Sequence, residues 1–294
     1  MGNRNFKKVM KVLWIILFAN LGVALFKIVI GSIIKSTSMT ADGFHSLADG
    51  SSNVVGLIGI YFASKPVDKE HQYGHGKFET IAGLFISTML FFIGGKIIAD
   101  AIIRFINPVT PHVTIEGIIS LLATLAINVI VCIYEYSQGK KLNSYILMSD
   151  SMHTRSDIYV SIGVIVTLVC VRLGLPPVID PIASLVVSIF IFHASYEIFK
   201  STSDILVDRA VIDNERIREI VMTFKKVKGV HKIRNRGSED DIYIDMHILT
   251  EPDMSVEESH NLIHSIEKKI QEEINDNIQI IVHIEPFYEN RKAV

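Results

Sequence analysis

The sequence predicts an α-helical membrane protein with six transmembrane helices, followed by a small cytoplasmic α+β domain of element order αββαβ. Three observations carry this expectation. The 294-residue chain has a mean hydropathy of +0.37 and only 20% charged residues, too apolar for an ordinary soluble protein. Six segments are long enough to cross a bilayer, which takes about 20 residues of helix. From about Val207 the long apolar runs give way to short amphipathic periods, so the expected domains are 1–206 and 207–294.

The six segments run at roughly 9–32, 38–63, 79–105, 114–136, 144–172 and 178–203. The first follows Arg4, Lys7, Lys8 and Lys11, and its apolar stretch reaches about Ile34. That is longer than a signal-peptide core, and no small-residue cleavage site stands out, so it reads as a membrane helix. The short connection near Lys35 to Thr37 makes the first two helices antiparallel neighbours. The second and fifth segments are the polar ones. Asn107-Pro108 and Pro176-Pro177 punctuate two loops, since proline stops a helix there.

Basic residues set the orientation. They gather in the N-terminal tail, in the second–third loop (Lys65, Lys69, Lys77) and in the fourth–fifth loop (Lys140, Lys141). The opposite loops carry only Lys35, Arg104 and Arg172. Both termini are therefore expected in the cytoplasm, with the chain a multi-pass protein of the cell membrane.

In the soluble part, Ile217, Ile220, Val221 and Phe224 share one helical face. A short strand is expected near Val230 to Arg234. Ile242, Ile244, Met246 and Ile248 alternate as a strand, and Ile278, Ile280, Val282 and Ile284 as another. Between them, Ser255 and Glu258 form a capping box, with Val256, Ile263, Ile266 and Ile270 as the helix's apolar face. A small sheet with helices on one side follows.

Some classes are disfavoured outright. A net charge of −2 and a pI near 6.6 give no footprint for nucleic acid. Cys132 and Cys170 lie inside apolar segments and suit packing, with no CxxC knuckle or disulfide framework. No GxxxxGK[ST] phosphate loop is present.

The chemistry lies in three constellations. Asp42-x-x-His45-x-x-x-Asp49 in the second segment is repeated at identical spacing as Asp150-x-x-His153-x-x-x-Asp157 in the fifth. Residues four apart stand on one helical face. Imidazole and carboxylate at membrane depth are costly and mark a pathway or a partner. His45, Asp49, His153 and Asp157 together offer two nitrogens and two oxygens, a shell zinc accepts. Inter-helix hydrogen bonds or a structural ion pair are the bland alternative. Asp42 and Asp150 are second-layer groups, vestibule charges or helix-end residues. The second constellation is Asp68, His71 and His75, which could converge on a cation in a glycine-bent loop; a merely solvated loop is the alternative. The third comprises His231, His247, His260, His283 and Glu285. Strand phase puts His247, His283 and Glu285 on the sheet face away from the helices, whereas His260 does not obviously join them. His264 reads as a surface residue, and His112 and His193 as structural or interfacial.

On these residues, together with the loop His71-Gln-Tyr-Gly-His-Gly-Lys-Phe-Glu79, the chain resembles a cation diffusion facilitator of the bacterial zinc/iron-related branch. The resemblance spans nearly the whole chain. It implies a homodimer in the lipid bilayer that exchanges cytosolic divalent metal for protons, with a metallochaperone-like tail. By position, His45, Asp49, His153 and Asp157 match the family's transport site, and Asp68, His71 and His75 its loop site. His231, His247, His260, His283 and Glu285 match its cytoplasmic cluster at the dimer interface, with Glu285 where a close relative carries aspartate. His45 is associated with zinc preference, while the loop resembles members with iron, cobalt or manganese substrates. Lys77 and Asp208 match charges near the helix–tail junction.

The expected function is efflux of a divalent cation, zinc foremost, with Fe2+, Co2+, Cd2+ or Mn2+ as alternatives. The metal is substrate and structural or regulatory ligand, and no catalytic cofactor is expected. Protons compete for the same ligands, because histidine binds metal only when neutral. An intramembrane metalloenzyme is disfavoured because no HExxH exists and the four ligands leave no open position. A channel is disfavoured because a full ligand shell holds an ion too tightly for fast conduction. A non-transporting membrane sensor or scaffold remains the alternative.

Overall fold

The computed structural model describes residues 6–33, 46–47, 50–107, 115–173, 176, 178–238 and 241–288. The chain forms two compact units that divide at Ser203/Asp204.

The first unit is helical. Helix α1 spans Phe6–Ile33, α2 Ser51–Ala63, α3 Lys77–Ile106, α4 Ile115–Lys141, α5 Tyr145–Arg172 and α6 Ile179–Leu206, whose last turn enters the second unit. Four of these, α1, α3, α4 and α6, are long and apolar enough to cross a membrane. The described part of α2 has 13 residues, and most of the N-terminal half of the expected second span lies outside the described residues. Helix α5 has 28 residues, about 40 Å of helix, but Asp150, His153, Arg155 and Asp157 interrupt its apolar run.

This unit is built inside-out relative to a soluble bundle. Leu13 and Ile16 of α1, Ile60 of α2, Ala82 of α3, and Ile146 and Leu147 of α5 pack together. Leu90 of α3 packs with Val187, Ile191 and Ile198 of α6. Phe18, Phe26, Phe92, Ile106, Ile130 and Ile189 face outward, while Lys27, Asn53, Glu135, Asp150 and His153 are buried. Apolar outside and polar inside is the pattern a lipid solvent selects. Small residues allow close approach: a side chain at Gly59 of α2 would collide with Ala82 of α3.

The second unit has the order αββαβ: α7 Asn214–Met222, β1 Val227–Ser238, β2 Asp241–Thr250, α8 Val256–Glu273 and β3 Ile278–Pro286. The sheet order is β1-β2-β3, with β1 antiparallel and β3 parallel to β2. Asp213 caps α7 by accepting the Glu215 amide at 3.1 Å. Ser255 and Glu258 close the expected capping box on α8. Ile242, Ile244, Met246 and Ile248 bury one sheet face against Ile217, Ile220 and Val221 of α7 and Leu262, Ile266 and Ile270 of α8.

Two details differ from expectation. Strand β1 is longer than 230–234, because its polar end, Arg234 to Ser238, pairs back onto Asp241 to Asp245 across a register shift at His231/Arg234. Val256 is 88% exposed, and Leu262 takes its place on the buried face of α8. Val256 is the helix's first residue, ahead of the turns that reach the sheet.

Candidate metal centres

Three sets of metal-ligating side chains were expected, and the described residues bear on each differently. In the second unit, His231, His247 and His283 stand side by side on three adjacent strands. The register pairs His231 with His247 and His247 with His283. Neighbouring rings are 5.3 and 4.8 Å apart between centroids. Glu285, two residues beyond His283 on the same side of β3, reaches all three. Its carboxylate lies 2.7 Å from His247 Nδ1, 3.3 Å from His231 Nε2 and 3.8 Å from His283 Nε2. The hydrogen bond with His247 and the charge of the three imidazoles hold its carboxyl below the usual range, against a smaller opposing effect of desolvation. The ligand atoms of His231, His247 and Glu285 lie within 4.8 Å of one another, close enough to hold one cation.

His260 stands apart from this group within one chain. It lies on α8, which packs against the opposite sheet face through Leu262, Ile266 and Ile270. Its ring meets that of His264 edge-on at 4.4 Å, and His264 Nδ1 is 3.4 Å from Glu267.

The loop between α2 and α3 is folded by its own aspartate. Asp68 Oδ1 accepts the amides of Glu70 at 2.9 Å and His71 at 2.7 Å, and Gly74 supplies the left-handed turn at φ +85°. The amide bonds, the His71 one foremost, and nearby imidazole charge lower the Asp68 pKa, against partial desolvation. This brings Asp68 within 3.4 Å of His71 Nδ1 and 3.3 Å of His75 Nε2. The two rings are 4.3 Å apart, and the three ligand atoms lie within 4.8 Å. His75 is 6% exposed, and its Nδ1 has no hydrogen-bond partner among the described residues.

The membrane set is described by half. His45, Asp49 and Asp42 lie outside the described residues. His153 and Asp157 stand one turn apart on α5. His153 is 4% exposed, yet neither ring nitrogen has a hydrogen-bond partner among the described residues. A buried imidazole left bare costs free energy, and an ion that takes up its lone pair would remove the cost. Asp150 is buried one turn earlier and is held by the side-chain amide of Asn53 on α2, which accepts from Asn20 of α1 at 3.0 Å. Asp150 thus ties α5 to α2 directly and to α1 through Asn53.

Glu135 escapes sequence reading. The sequence predicts a fourth segment that ends near 136, which makes Glu135 a helix-end residue. Helix α4 continues to Lys141, so Glu135 lies within it, buried, accepting a hydrogen bond from Thr154 Oγ1 at 2.9 Å. The residues after it, Tyr136-Ser-Gln-Gly-Lys-Lys141, are polar, so nothing in the sequence marks Glu135 as buried.

The remaining residues settle into ordinary places. His193 is exposed, 3.6 Å from Glu197 on the same helix, and His112 lies outside the described residues. Asp208 pairs with Arg236 at 3.2 Å, and Lys77 opens α3. Cys132 Sγ lies 3.4 Å from the Ser151 carbonyl and Cys170 is a free thiol, both half-buried.

Residues 13–207 match the family described as the cation efflux transmembrane domain, and residues 211–287 the cation efflux protein cytoplasmic domain. The chain belongs to the cation diffusion facilitator family. This facilitator is 30% identical over 281 residues to the uncharacterized transporter MJ0449 of Methanocaldococcus jannaschii, covering 95% of this chain and 99% of that one. It is 32% identical over 289 residues to metal tolerance protein C1 of Arabidopsis thaliana, covering 92% of this chain and 61% of that one. Over 289 residues it is 28% identical to the manganese efflux system protein MneP of Bacillus subtilis, covering 95% and 96%. The facilitator is a multi-pass membrane protein that carries divalent metal cations out.

Proposed function

We propose that this facilitator exchanges cytosolic divalent metal, zinc foremost, for protons by alternating access through a site made of His45, Asp49, His153 and Asp157. The observation that carries the reading is His153, buried in the first half of α5 with neither ring nitrogen hydrogen-bonded among the described residues and Asp157 one turn away. Both carboxylates offset the cation's charge, and both imidazoles bind only when neutral, so each proton taken up weakens the hold on metal. With the ion gone, the like-charged carboxylates favour proton uptake, which couples the two flows.

In this reading all six helices cross the bilayer, with α5 polar because its polar groups are buried, and both termini lie in the cytoplasm of the cell membrane. Asp68, His71 and His75 hold a second cation. His231, His247, His283 and Glu285 hold a third and draw two chains into a homodimer. His260, which faces away within one chain, would serve such a cluster only from the second copy. The nitrogen-rich tail favours zinc, although the name of MneP attaches manganese to one relative.

Sealed proteoliposomes with internal pH recorded beside uptake of zinc, manganese, iron(II), cobalt and cadmium test this. Metal and proton flows should run in opposite directions, and Asp157→Ala and His153→Ala should abolish both. Unchanged zinc flux in a folded Asp157→Ala protein overturns the site assignment. Tight binding without flux in the parent protein would make it a sensor or scaffold instead.

A further inference from the structure

We propose that Glu135 is a positioning residue for the α5 half of the transport site, acting through the hydroxyl of Thr154. The inference rests on the reading of His153 and Asp157 as ligands. Glu135 sits in α4 with no exposed surface, and Thr154 directly follows His153. A helical threonine ordinarily gives its proton to the carbonyl four residues back. Here that carbonyl, of Asp150, is 3.2 Å from Thr154 Oγ1, while Glu135 Oε2 is closer at 2.9 Å. A second contact lies one turn back on α4, where Cys132 Sγ meets the Ser151 carbonyl at 3.4 Å. Helix α4 therefore grips α5 at residues 151 and 154, on both sides of His153 in sequence.

The grip has a rotational consequence. Each residue of an α-helix advances about 100° around the axis. Fixing the direction of Thr154 against α4 fixes the directions of His153 and Asp157 as well. One turn back on the same face of α5, Asp150 also meets Glu135 and is held by Asn53 of α2, the helix that follows directly on the segment carrying His45 and Asp49. Held at two successive turns of one face, α5 has one rotational setting. Outer groups of this kind commonly decide how well metal ligands are aimed. A carboxyl group fully buried between helices is costly to keep, and orienting the ligand pair gives it a use.

The test uses the full-length protein in detergent, with His75, His247 and His283 replaced by alanine so that zinc binding reports the membrane site. Zinc affinity and the KM and Vmax of zinc flux in proteoliposomes are measured, with gel filtration to select folded protein. Glu135→Ala and Thr154→Val should each weaken zinc binding by roughly 10–100-fold. The double variant should be no weaker than the worse single one. Glu135→Gln and Thr154→Ser retain an acceptor and a donor and should recover most of the lost affinity, which a role in packing alone would not require. If Glu135→Gln is as weak as Glu135→Ala, the carboxylate's charge rather than its acceptor is needed and the positioning role is wrong. Parent-like affinity in Glu135→Ala also overturns it. His153→Ala separates the two readings. If it keeps zinc, the ligand assignment itself falls; if it loses zinc while Glu135→Ala does not, only the positioning role falls.

Discussion

His247 Nδ1 lies 2.7 Å from Glu285 Oε1, across two parallel strands whose register places His247 opposite His283. One carboxylate is thereby shared among three imidazoles on three strands. Glu285→Gln keeps the size but removes the negative charge that a dication needs, and should lower the tail's zinc affinity sharply. Glu285→Asp keeps the charge but is one methylene shorter, so it should lose less. Titration calorimetry on the full chain orders the three proteins. Equal affinity in the glutamine variant would remove Glu285 from the ligand set.

The loop site separates charge from scaffold. Asp68 Oδ1 accepts two loop amides, and a side-chain amide oxygen can still accept them. Asp68→Asn should leave the loop fold intact while weakening metal binding there. Asp68→Ala should lose both. Hydrogen exchange of the Glu70 and His71 amides reads the fold, and zinc protection of the same amides reads the site. Loss of amide protection in the asparagine variant without zinc would contradict the prediction.

A pH-dependent element lies at the start of α8. The Glu258 carboxylate accepts the Ser255 amide at 3.1 Å and pairs with Lys226 at 3.0 Å. The amide foremost, then Lys226 and the Ser255 hydroxyl, lower its pKa. A carboxyl lowered on folding stabilises fully above its unfolded value, and that contribution disappears as pH falls through the lower folded value. Protection of the first turn of α8 should therefore hold through neutral pH and decline only in the acid range below ordinary carboxylates. Glu258→Gln should flatten that decline. Ser255→Ala should cost about 1 kcal/mol, seen as faster exchange of the Glu258 and Ser259 amides at all pH values.

The tail was legible because alternation in Ile242 to Ile248 and Ile278 to Ile284 fixes which face meets the helices, and so which face carries His247, His283 and Glu285. Strand β1 was only half legible, since its far end is polar and is held by hairpin pairing, not burial. The loop triad was visible as residue types, but the Asp68 turn that gathers it depends on backbone amides that no side-chain pattern reveals. In the membrane unit, apolar length marked α1, α3, α4 and α6 plainly. Glu135 and the Asn20–Asn53–Asp150 chain were hidden because they meet across helices, and contacts between distant residues leave no periodic trace.

Gly59 tests how tightly the helices around the site are set. A methyl added there would lie 2.3 Å from Ala82 Cβ and 3.0 Å from Ile146 Cδ1. Carbon atoms in contact sit roughly 3.5–4.0 Å apart. Ile146 can swing its terminal carbon aside, but the Ala82 methyl is fixed to the α3 backbone, so α2 and α3 must separate. Alanine is intrinsically the better helix residue, by about 1 kcal/mol, which opposes the clash. Overpacking of a filled interior costs about 1–3 kcal/mol, so Gly59→Ala should lower the unfolding midpoint and the zinc flux together. Moving the methyl from one helix to the other, Gly59→Ala with Ala82→Gly, removes the collision at nearly constant volume. Thermal unfolding in detergent should then return toward the parent value. If the double variant is no better than Gly59→Ala alone, the contact between α2 and α3 is not what limits that site.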